Sequence, residues 1–349
     1  MYRRAYALLV GIAFVMGALA IVTAIGLDKR LADPDGFLGP SWARLPLLVG
    51  GAFLADLLPR TLWQSRMHPG AMAPIFRERV RTHWTRERMT LVVMGVVCFY
   101  ITYVSYRNLK SFLPFVLSDK MYDRELHLLD RMILFGHDPG VLMHDLLGTG
   151  ISAHVLSYVY LWFLPLVPLA LTAWLVWSRN LTFGYWFATS QCIAWALGTL
   201  SYYALPTLGP GFEYVSPYAG LPDTPTSALM ESLFNSRQEV MHGGVEGVVQ
   251  SVAGFASLHC AITLLVALMV QFTLHSKVLK WVFWVNFGVT VVATLYFGWH
   301  YIADDVAGIM IAFISFYVGG IASGQKFDHH GLASHPTTTT SHVPVEHDA

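Results

Sequence analysis

A histidine and an aspartate stand four residues apart near the end of an otherwise apolar chain, in the segment GWHYIADDVAG at residues 298–308. Residues at this spacing share one face of a helix, so His300, Asp304 and Gly308 are predicted to stack above one another. The Asp304 carboxylate can then accept a hydrogen bond from one imidazole nitrogen of His300, which fixes the tautomer and aims the other nitrogen. An imidazole oriented in this way can act as a nucleophile.

A second histidine, His259, follows a serine in the segment GFASLHCA at residues 254–261. A single histidine in a membrane helix more often hydrogen-bonds to a neighbouring helix than catalyses a reaction. From a helix that faces His300, however, it would donate a proton to a leaving group, which is general acid catalysis. The neighbouring Asp305 points about 100° away from Asp304, so it either pairs with another helix or lines the cavity.

The elements that must position these residues are membrane helices. The chain of 349 residues is 55% hydrophobic and 13% charged, and its formal net charge of zero gives no indication of a polyanionic partner. The three cysteines lie in apolar stretches without metal-ligand spacing, which indicates small core residues. Apolar windows predict an all-α, polytopic membrane bundle with eight spans, at residues 5–27, 42–58, 89–106, 151–177, 183–206, 254–274, 279–298 and 301–322.

Loop charges predict which way the bundle faces. The segment 59–88 contains seven arginines against two glutamates, whereas 207–252 contains five acidic residues against the single Arg237. Because basic loops stay in the cytoplasm, we expect both termini inside and the two histidines at the outer face of the membrane. The outer loop 207–252 is long enough to fold over the site as a lid.

These motifs resemble those of the type 2 phosphatidic acid phosphatase superfamily, and within it the branch of inositol phosphorylceramide synthases and their bacterial relatives. The superfamily's third motif has a histidine, an aspartate four residues later and a glycine eight residues later, as HYIADDVAG does. Its second motif is Pro-Ser-Gly-His, and the Ser-Leu-His at His259 is similar to the version in the synthase branch. The segment LPTLGPGF at 205–212 resembles that branch's proline-rich segment, and the resemblance covers roughly residues 150–322.

The resemblance implies an enzyme that needs no metal and no cofactor. His300 would attack phosphorus to form a phosphohistidine, Asp304 would orient it, and His259 would protonate the leaving oxygen. The substrate would be a membrane lipid phosphate or phosphodiester, and the acceptor an alcohol in a transferase or water in a phosphatase. The bacterial relatives point to a bacterial plasma membrane. The resemblance implies three parts of the chain. These are two N-terminal helices with a basic cytoplasmic loop at 1–88, a six-helix phosphatase-like core at 89–323, and a disordered tail at 324–349.

The phosphate-binding cations of the superfamily are not recognisable in this sequence. The phosphatases carry an arginine six residues before the third-motif histidine, where Thr294 stands, and their first-motif lysine and Arg-Pro pair are missing. Phosphoryl transfer depends on stabilising charge at the non-bridging oxygens, so we predict that Lys110, Arg107, Arg237 and Ser257 bind the substrate. The three cations are equally compatible with anchoring at lipid headgroups. Fewer fixed cations suit a phosphodiester, which favours a lipid phosphotransferase over a lipid phosphate phosphatase.

Two functions of other classes stay open. His259 and His300 could be axial ligands of a haem in a membrane electron carrier, although an aspartate one turn beyond a ligand is not expected there. Alternatively, the protein is a transporter or scaffold whose catalytic site has decayed, as the missing arginine suggests. A colourless purified protein would exclude the haem, and uptake or partner binding that survives loss of His300 would favour the transporter or scaffold.

Overall fold

The computed structural model describes residues 3–33, 40–117, 121–178, 180–243, 254–327 and 337–338. Within these residues the regular secondary structure is helical apart from two strands of two residues each, as the predicted all-α bundle requires. The helices are α1 (Arg3–Gly26), α2 (Ser41–Gln64), α3 (Pro69–His83), α4 (Arg86–Leu117), α5 (Asp123–Ile133), α6 (Pro139–Leu147), α7 (Ile151–Trp177), α8 (Leu181–Ala204), α9 (Pro210–Glu213), α10 (Pro225–Gly243), α11 (Leu258–Thr273), α12 (Lys277–Tyr296) and α13 (Ile302–Ala322).

Eight of these helices correspond to the eight predicted spans. Six of them, α1, α2, α4, α7, α12 and α13, are long and apolar enough to cross a membrane. The other two are α8, which has 24 residues and no charged side chain, and the shorter apolar α11, which has 16 residues. The protein is therefore an integral membrane protein with a bundle of helices.

Helix α8 lies at the centre of the bundle, in contact with α1, α4, α7, α11 and α13. Most of its residues are buried, including Thr189, Ser190 and Gln191. Because α8 is enclosed by other helices rather than by lipid, it can carry more polar side chains than a lipid-facing helix. A Cβ at Gly319 of α13 would collide with the Ser190 hydroxyl, so this glycine permits the close approach of α8 and α13.

Two helices extend well beyond the predicted spans. Helix α2 continues to Gln64, and α4 has 32 residues instead of the 18 in the window 89–106. A hydropathy window ends at the first charged residues, whereas the backbone hydrogen bonds of a helix continue through them. The predicted loops also contain helices with polar or mixed faces, which hydropathy does not detect: α3, α5, α6, α9, α10 and a short 3-10 helix at Ser216–Tyr218.

The basic segment between α2 and α4 forms α3 and packs against the end of the bundle. Arg79 donates to both carboxylate oxygens of the buried Asp56 in α2, at 3.1 and 2.9 Å. The buried Arg88 donates to the carbonyl oxygens of Leu175, Val176 and Ser178 at the end of α7. The contacts of Arg88 satisfy carbonyls that α7 leaves open at its C-terminus.

Two predictions concern residues that the structure describes only in part. In the tail, β1 (Gln325–Lys326) pairs antiparallel with β2 (Thr337–Thr338). Residues 328–336 and 339–349 lie outside the described part of the chain, so the disordered tail stays a prediction there. Of the predicted lid at 207–252, the described part includes α9 and α10, and residues 244–252 lie outside it.

Candidate active site

His300 precedes α13 by two residues, and its contact with Asp304 depends on how that helix begins. The two side chains meet at 3.3 Å between His300 Nδ1 and Asp304 Oδ2. The same carboxylate oxygen accepts the backbone N–H of Tyr301 at 3.0 Å. Because α13 begins at Ile302, His300 is not part of the helix. The prediction that it stacks on one helical face with Asp304 was wrong. The pair forms because Asp304, in the first turn of α13, reaches back to the residues that precede it.

His259 approaches His300 from a second helix. It is the second residue of α11, and the centroids of the two imidazole rings are 6.3 Å apart. The ring of Tyr160 in α7 stacks on His259 with centroids 4.2 Å apart and planes at 14°, and Phe163 contacts it at 4.0 Å. Trp299 stacks on Tyr160 in turn, at 5.2 Å and 14°. These rings restrict the orientation of His259.

The start of α11 is fixed to α13 through Ser257. Its backbone N–H donates to the carbonyl oxygen of Asp304 at 3.0 Å, and its side chain accepts from Cys260 N at 3.4 Å and so caps α11. A Cβ at Gly308 would collide with the carbonyl oxygen of Ser257, so this glycine allows the two helices to meet. The Ser257 hydroxyl is fully buried, and its proposed contact with substrate stays a prediction.

Asp305 pairs with neighbouring helices, which was one of the two possibilities that the sequence left open. Its Oδ1 accepts from Cys260 Sγ of α11 at 2.9 Å, and its Oδ2 accepts from Thr294 Oγ1 of α12 at 2.8 Å. This buried carboxylate therefore connects the three helices α11, α12 and α13. Thr294, which stands where the phosphatases have an arginine, is hydrogen-bonded within this network.

Two further carboxylates, Asp123 and Asp130 of α5, support the site, and the sequence did not single them out. Asp123 accepts the backbone N–H groups of Leu208 and Gly209 and the hydroxyl of Tyr301, at 2.9 to 3.1 Å. It therefore joins the proline-rich segment after α8 to the residue that follows His300. The two acids are seven residues apart on a strongly amphipathic helix, so they share one face of it. This spacing is the sequence feature that could have identified them.

Asp130 caps α13. Both of its carboxylate oxygens lie 3.2 Å from the backbone nitrogen of Ile302, the first residue of the helix. Burial raises the pKa of the Asp130 carboxyl to about 7, and the N–H of Ile302 opposes this rise. The nearby carboxylates of Asp304, Asp305 and Asp138 raise the pKa further by repulsion. A negative charge at the N-terminus of a helix also interacts favourably with the helix dipole.

The predicted substrate-binding cations differ in how they lie relative to the histidines. Lys110 of α4 is half-buried, with its ammonium over the rings of Tyr202 and Tyr106 at 5.6 and 6.0 Å from their centroids, and its charge acts on His259. Arg107 lies one turn earlier and repels Lys110. Arg237 falls in the part of α10 for which only the backbone is described, so its side chain lies outside the described atoms.

The described part of the chain contains no cluster of three or more His, Cys, Asp or Glu side chains that could hold a metal ion. The arrangement provides two imidazoles on facing helices, one of them next to a carboxylate that occupies its Nδ1. Such a pair can attack an electrophile with the free Nε2 of His300 and transfer a proton through His259. Lys110, whose Nζ lies over the rings of Tyr106 and Tyr202, is a candidate partner for a negatively charged substrate.

Comparison with known proteins connects this geometry to a family. A family model described as the PAP2 superfamily matches residues 124–318, which is more than half of the chain. The matched range begins in α5 and contains His259, His300 and Asp304, whereas Lys110 and α1 to α4 precede it. No curated protein and no solved structure matches the chain.

Proposed function

Because this chain belongs to the PAP2 superfamily, whose activities are of the lipid phosphatase and phosphotransferase type, we propose that it is a lipid phosphotransferase. It would move a phosphoryl or phospho-alcohol group between membrane lipids and an alcohol acceptor, without a metal ion. The proposed donor is a phosphodiester lipid, and the proposed reaction resembles that of the inositol phosphorylceramide synthases. We place the site at the outer face of the membrane, as the loop charges predict.

The observation that carries this proposal is the pairing of His300 with Asp304 opposite His259. The carboxylate 3.3 Å from Nδ1 holds the His300 ring so that Nε2 carries the lone pair. The His259 ring lies 6.3 Å away, centroid to centroid, with one face covered by Tyr160. A tetrahedral phosphorus with its leaving oxygen fits between a nucleophile and a proton donor that face each other in this way.

The proposed reaction has two steps that balance in atoms and charge. In the first, His300 Nε2 forms a bond to phosphorus, the bond from phosphorus to the leaving oxygen breaks, and protonated His259 donates its proton to that oxygen. In the second, neutral His259 removes the proton from the acceptor hydroxyl, whose oxygen attacks phosphorus and releases His300. Asp304 stabilises the positive charge on the His300 ring during both steps.

Thr294 supports the choice of a transferase over a phosphatase. The phosphatases have an arginine at this position, and here the threonine hydroxyl donates to Asp305 instead of to a phosphate. The fixed charge around the substrate phosphate is therefore smaller than in the phosphatases, which suits a phosphodiester with one negative charge. Lys110 and Arg107 of α4 are the proposed partners of that charge.

The proposal is tested with the purified full-length chain and a panel of lipid phosphates and phosphodiester lipids, each with and without an alcohol acceptor. Free phosphate and new lipids are measured for the wild type, for His300→Ala and for His275→Ala, which removes an exposed histidine in the turn between α11 and α12. We expect a lipid with an exchanged headgroup from the wild type and His275→Ala. We expect at least a 10⁴-fold lower rate from His300→Ala, roughly the loss that follows removal of a nucleophile.

Three outcomes would overturn parts of the proposal. Free phosphate that depends on His300 and does not respond to added alcohol would make the protein a lipid phosphate phosphatase. Equal activity of His300→Ala and the wild type would exclude His300 as the nucleophile. Equal inactivity of all three proteins across the panel would leave the transporter or scaffold as the better explanation.

A further inference from the structure

A groove between α2 and α3 lies at the opposite end of the bundle from the two histidines. His83, the last residue of α3, contacts the carbonyl oxygen of Val176 at the end of α7. At the α-helical rise, Arg86 at this end of α4 is about 36 Å from Lys110 near the site, a distance comparable to the thickness of a bilayer. The groove has a volume of about 630 Å³ and is lined by Leu58, Thr61, Leu62, Pro69, Met72, Ala73, Phe76, Arg77, Val80 and Arg81.

The floor of the groove is apolar because of the spacing of residues in its two helices. Met72, Phe76 and Val80 recur every four residues along α3 and so form one stripe, which faces Leu58 and Leu62 of α2. Helix α3 is described throughout, and none of its residues is buried by the rest of the protein. An open apolar groove beside a membrane-spanning helix is filled by lipid, since leaving it to water costs free energy in proportion to its area.

The edge of the groove carries two arginines in the adjacent stripe of α3. Arg77 and Arg81 follow Ala73 at intervals of four residues, and both are exposed. In the described part of the chain, neither forms an ion pair with an acid, whereas Arg79, on another face of α3, is held by Asp56. Guanidinium groups bind phosphate through paired hydrogen bonds, so this edge is complementary to a lipid phosphate.

We propose that the groove binds one anionic phospholipid from the leaflet opposite the active site. An acyl chain lies along Met72, Phe76 and Val80, and the phosphate lies between Arg77 and Arg81. Such a site differs from the general attraction of a basic segment to an acidic membrane surface, because it has one lipid per protein and depends on particular arginines. The inference is independent of the reaction proposed for the histidines.

The test is a titration of the detergent-solubilised, full-length chain with phosphatidylglycerol or phosphatidylcholine of identical acyl chains, followed by native mass spectrometry. We expect one phosphatidylglycerol to bind about tenfold more tightly than phosphatidylcholine, because the quaternary ammonium of choline offsets the phosphate charge that the two arginines attract. The double variant Arg77→Gln/Arg81→Gln should lose this preference. The matched control Arg66→Gln/Arg86→Gln loses the same charge from two exposed arginines that do not line the groove, and it should keep the preference.

A second variant tests the apolar floor. Ala73→Trp fills the groove and should weaken the binding of both lipids, and soluble glycerol phosphate should not displace bound phosphatidylglycerol because it has no acyl chain. No preference between the lipids in the wild type, equal losses in the two double variants, or displacement by glycerol phosphate would each overturn the proposal. The melting temperature of every variant is measured alongside. If Ala73→Trp unfolds, the comparison of the two double arginine variants decides the result.

Discussion

The two ends of the helical bundle satisfy their exposed helix termini with opposite charges. At the end that contains the histidines, Asp130 and Asp304 accept the backbone N–H groups of Ile302 and Tyr301 at the start of α13. At the other end, Arg88 donates to the last carbonyls of α7. Both arrangements follow the helix dipole, since the N-terminus of a helix favours an anion and its C-terminus a cation.

The difference between the ends indicates where each can bind an anion. The histidine end has four buried carboxylates, of Asp123, Asp130, Asp304 and Asp305, so a phosphate there depends on the cations of α4 to offset their repulsion. At the arginine end, some basic groups bind helix carbonyls and Asp56. Two others, on α3, lie at the edge of an apolar groove. The phosphate chemistry that we propose for the first end therefore depends on the cations of α4, and the lipid binding that we propose for the second end depends on Arg77 and Arg81.

The largest loss of activity in this comparison is expected at the histidine end, from His259→Ala. With a lipid whose leaving group is an alkyl alcohol, the rate should fall by about 10³-fold, because that oxygen must be protonated as it leaves. With a 4-nitrophenyl ester of the same phosphate, the release of nitrophenolate in the first turnover should fall by less than about tenfold, because this leaving group needs no proton. First-turnover rates on both substrates give the comparison, since the second step also uses His259, and His154→Ala, which removes an exposed histidine of α7, is the control. Equal losses on both substrates would contradict the role of His259 as an acid.

A smaller loss of activity is expected from Asp304→Asn. The amide oxygen still accepts the N–H of Tyr301, but it cannot stabilise positive charge on His300, so kcat should fall by about 10²-fold with little change in KM. The matched control is Asp145→Asn, which removes an exposed carboxylate of α6. If KM rises while kcat is unchanged, Asp304 contributes to substrate binding instead.

At the other end, Arg88→Met should reduce stability and leave the chemistry unchanged. The substitution leaves the carbonyl oxygens of Leu175 and Ser178 without their donor, while His83 still contacts that of Val176, and it should lower the free energy of unfolding by about 3 kcal/mol. Thermal unfolding in detergent measures the loss, and the activity per folded molecule should equal that of the wild type. Arg86→Met, at an exposed position two residues earlier, should change the midpoint little. A fall in kcat of the folded Arg88→Met protein would show that the two ends are coupled.

The smallest effect concerns Asp130 and pH. Its pKa is raised by burial from 3.8 to about 7, so between these values the folded protein binds more protons than the unfolded chain. Its contribution to stability is therefore fully present below about pH 4 and is lost as the pH rises through about 7. Between about pH 6 and about pH 8 the melting temperature of the wild type should fall by a few degrees more than that of Asp130→Asn, about the scale of a 1 kcal/mol change. Parallel melting curves of the two proteins would contradict the raised pKa.

Part of the site could be predicted from local sequence alone. His300 and Asp304 are four residues apart, and His259 follows Ser257 at the start of an apolar stretch, so their patterns are visible without a fold. The long apolar helices were predictable for the same reason, because a bilayer requires them, and six of the eight predicted spans are long and apolar enough to cross a membrane. The wrong expectation that His300 shares a helical face with Asp304 came from the same pattern, since a spacing of four residues also fits a carboxylate that caps the start of a helix.

Sequence by itself therefore determined the helical membrane bundle, the pair formed by His300 and Asp304, and the resemblance to the superfamily. Only the tertiary structure decided that Asp123 and Asp130 support the residues beside His300, that Asp305 joins α12 to α11, and that α3 forms a groove against α2. These contacts join residues that are far apart in the chain and follow no period. Their geometry depends on how the helices pack, which a pattern within one helix does not contain.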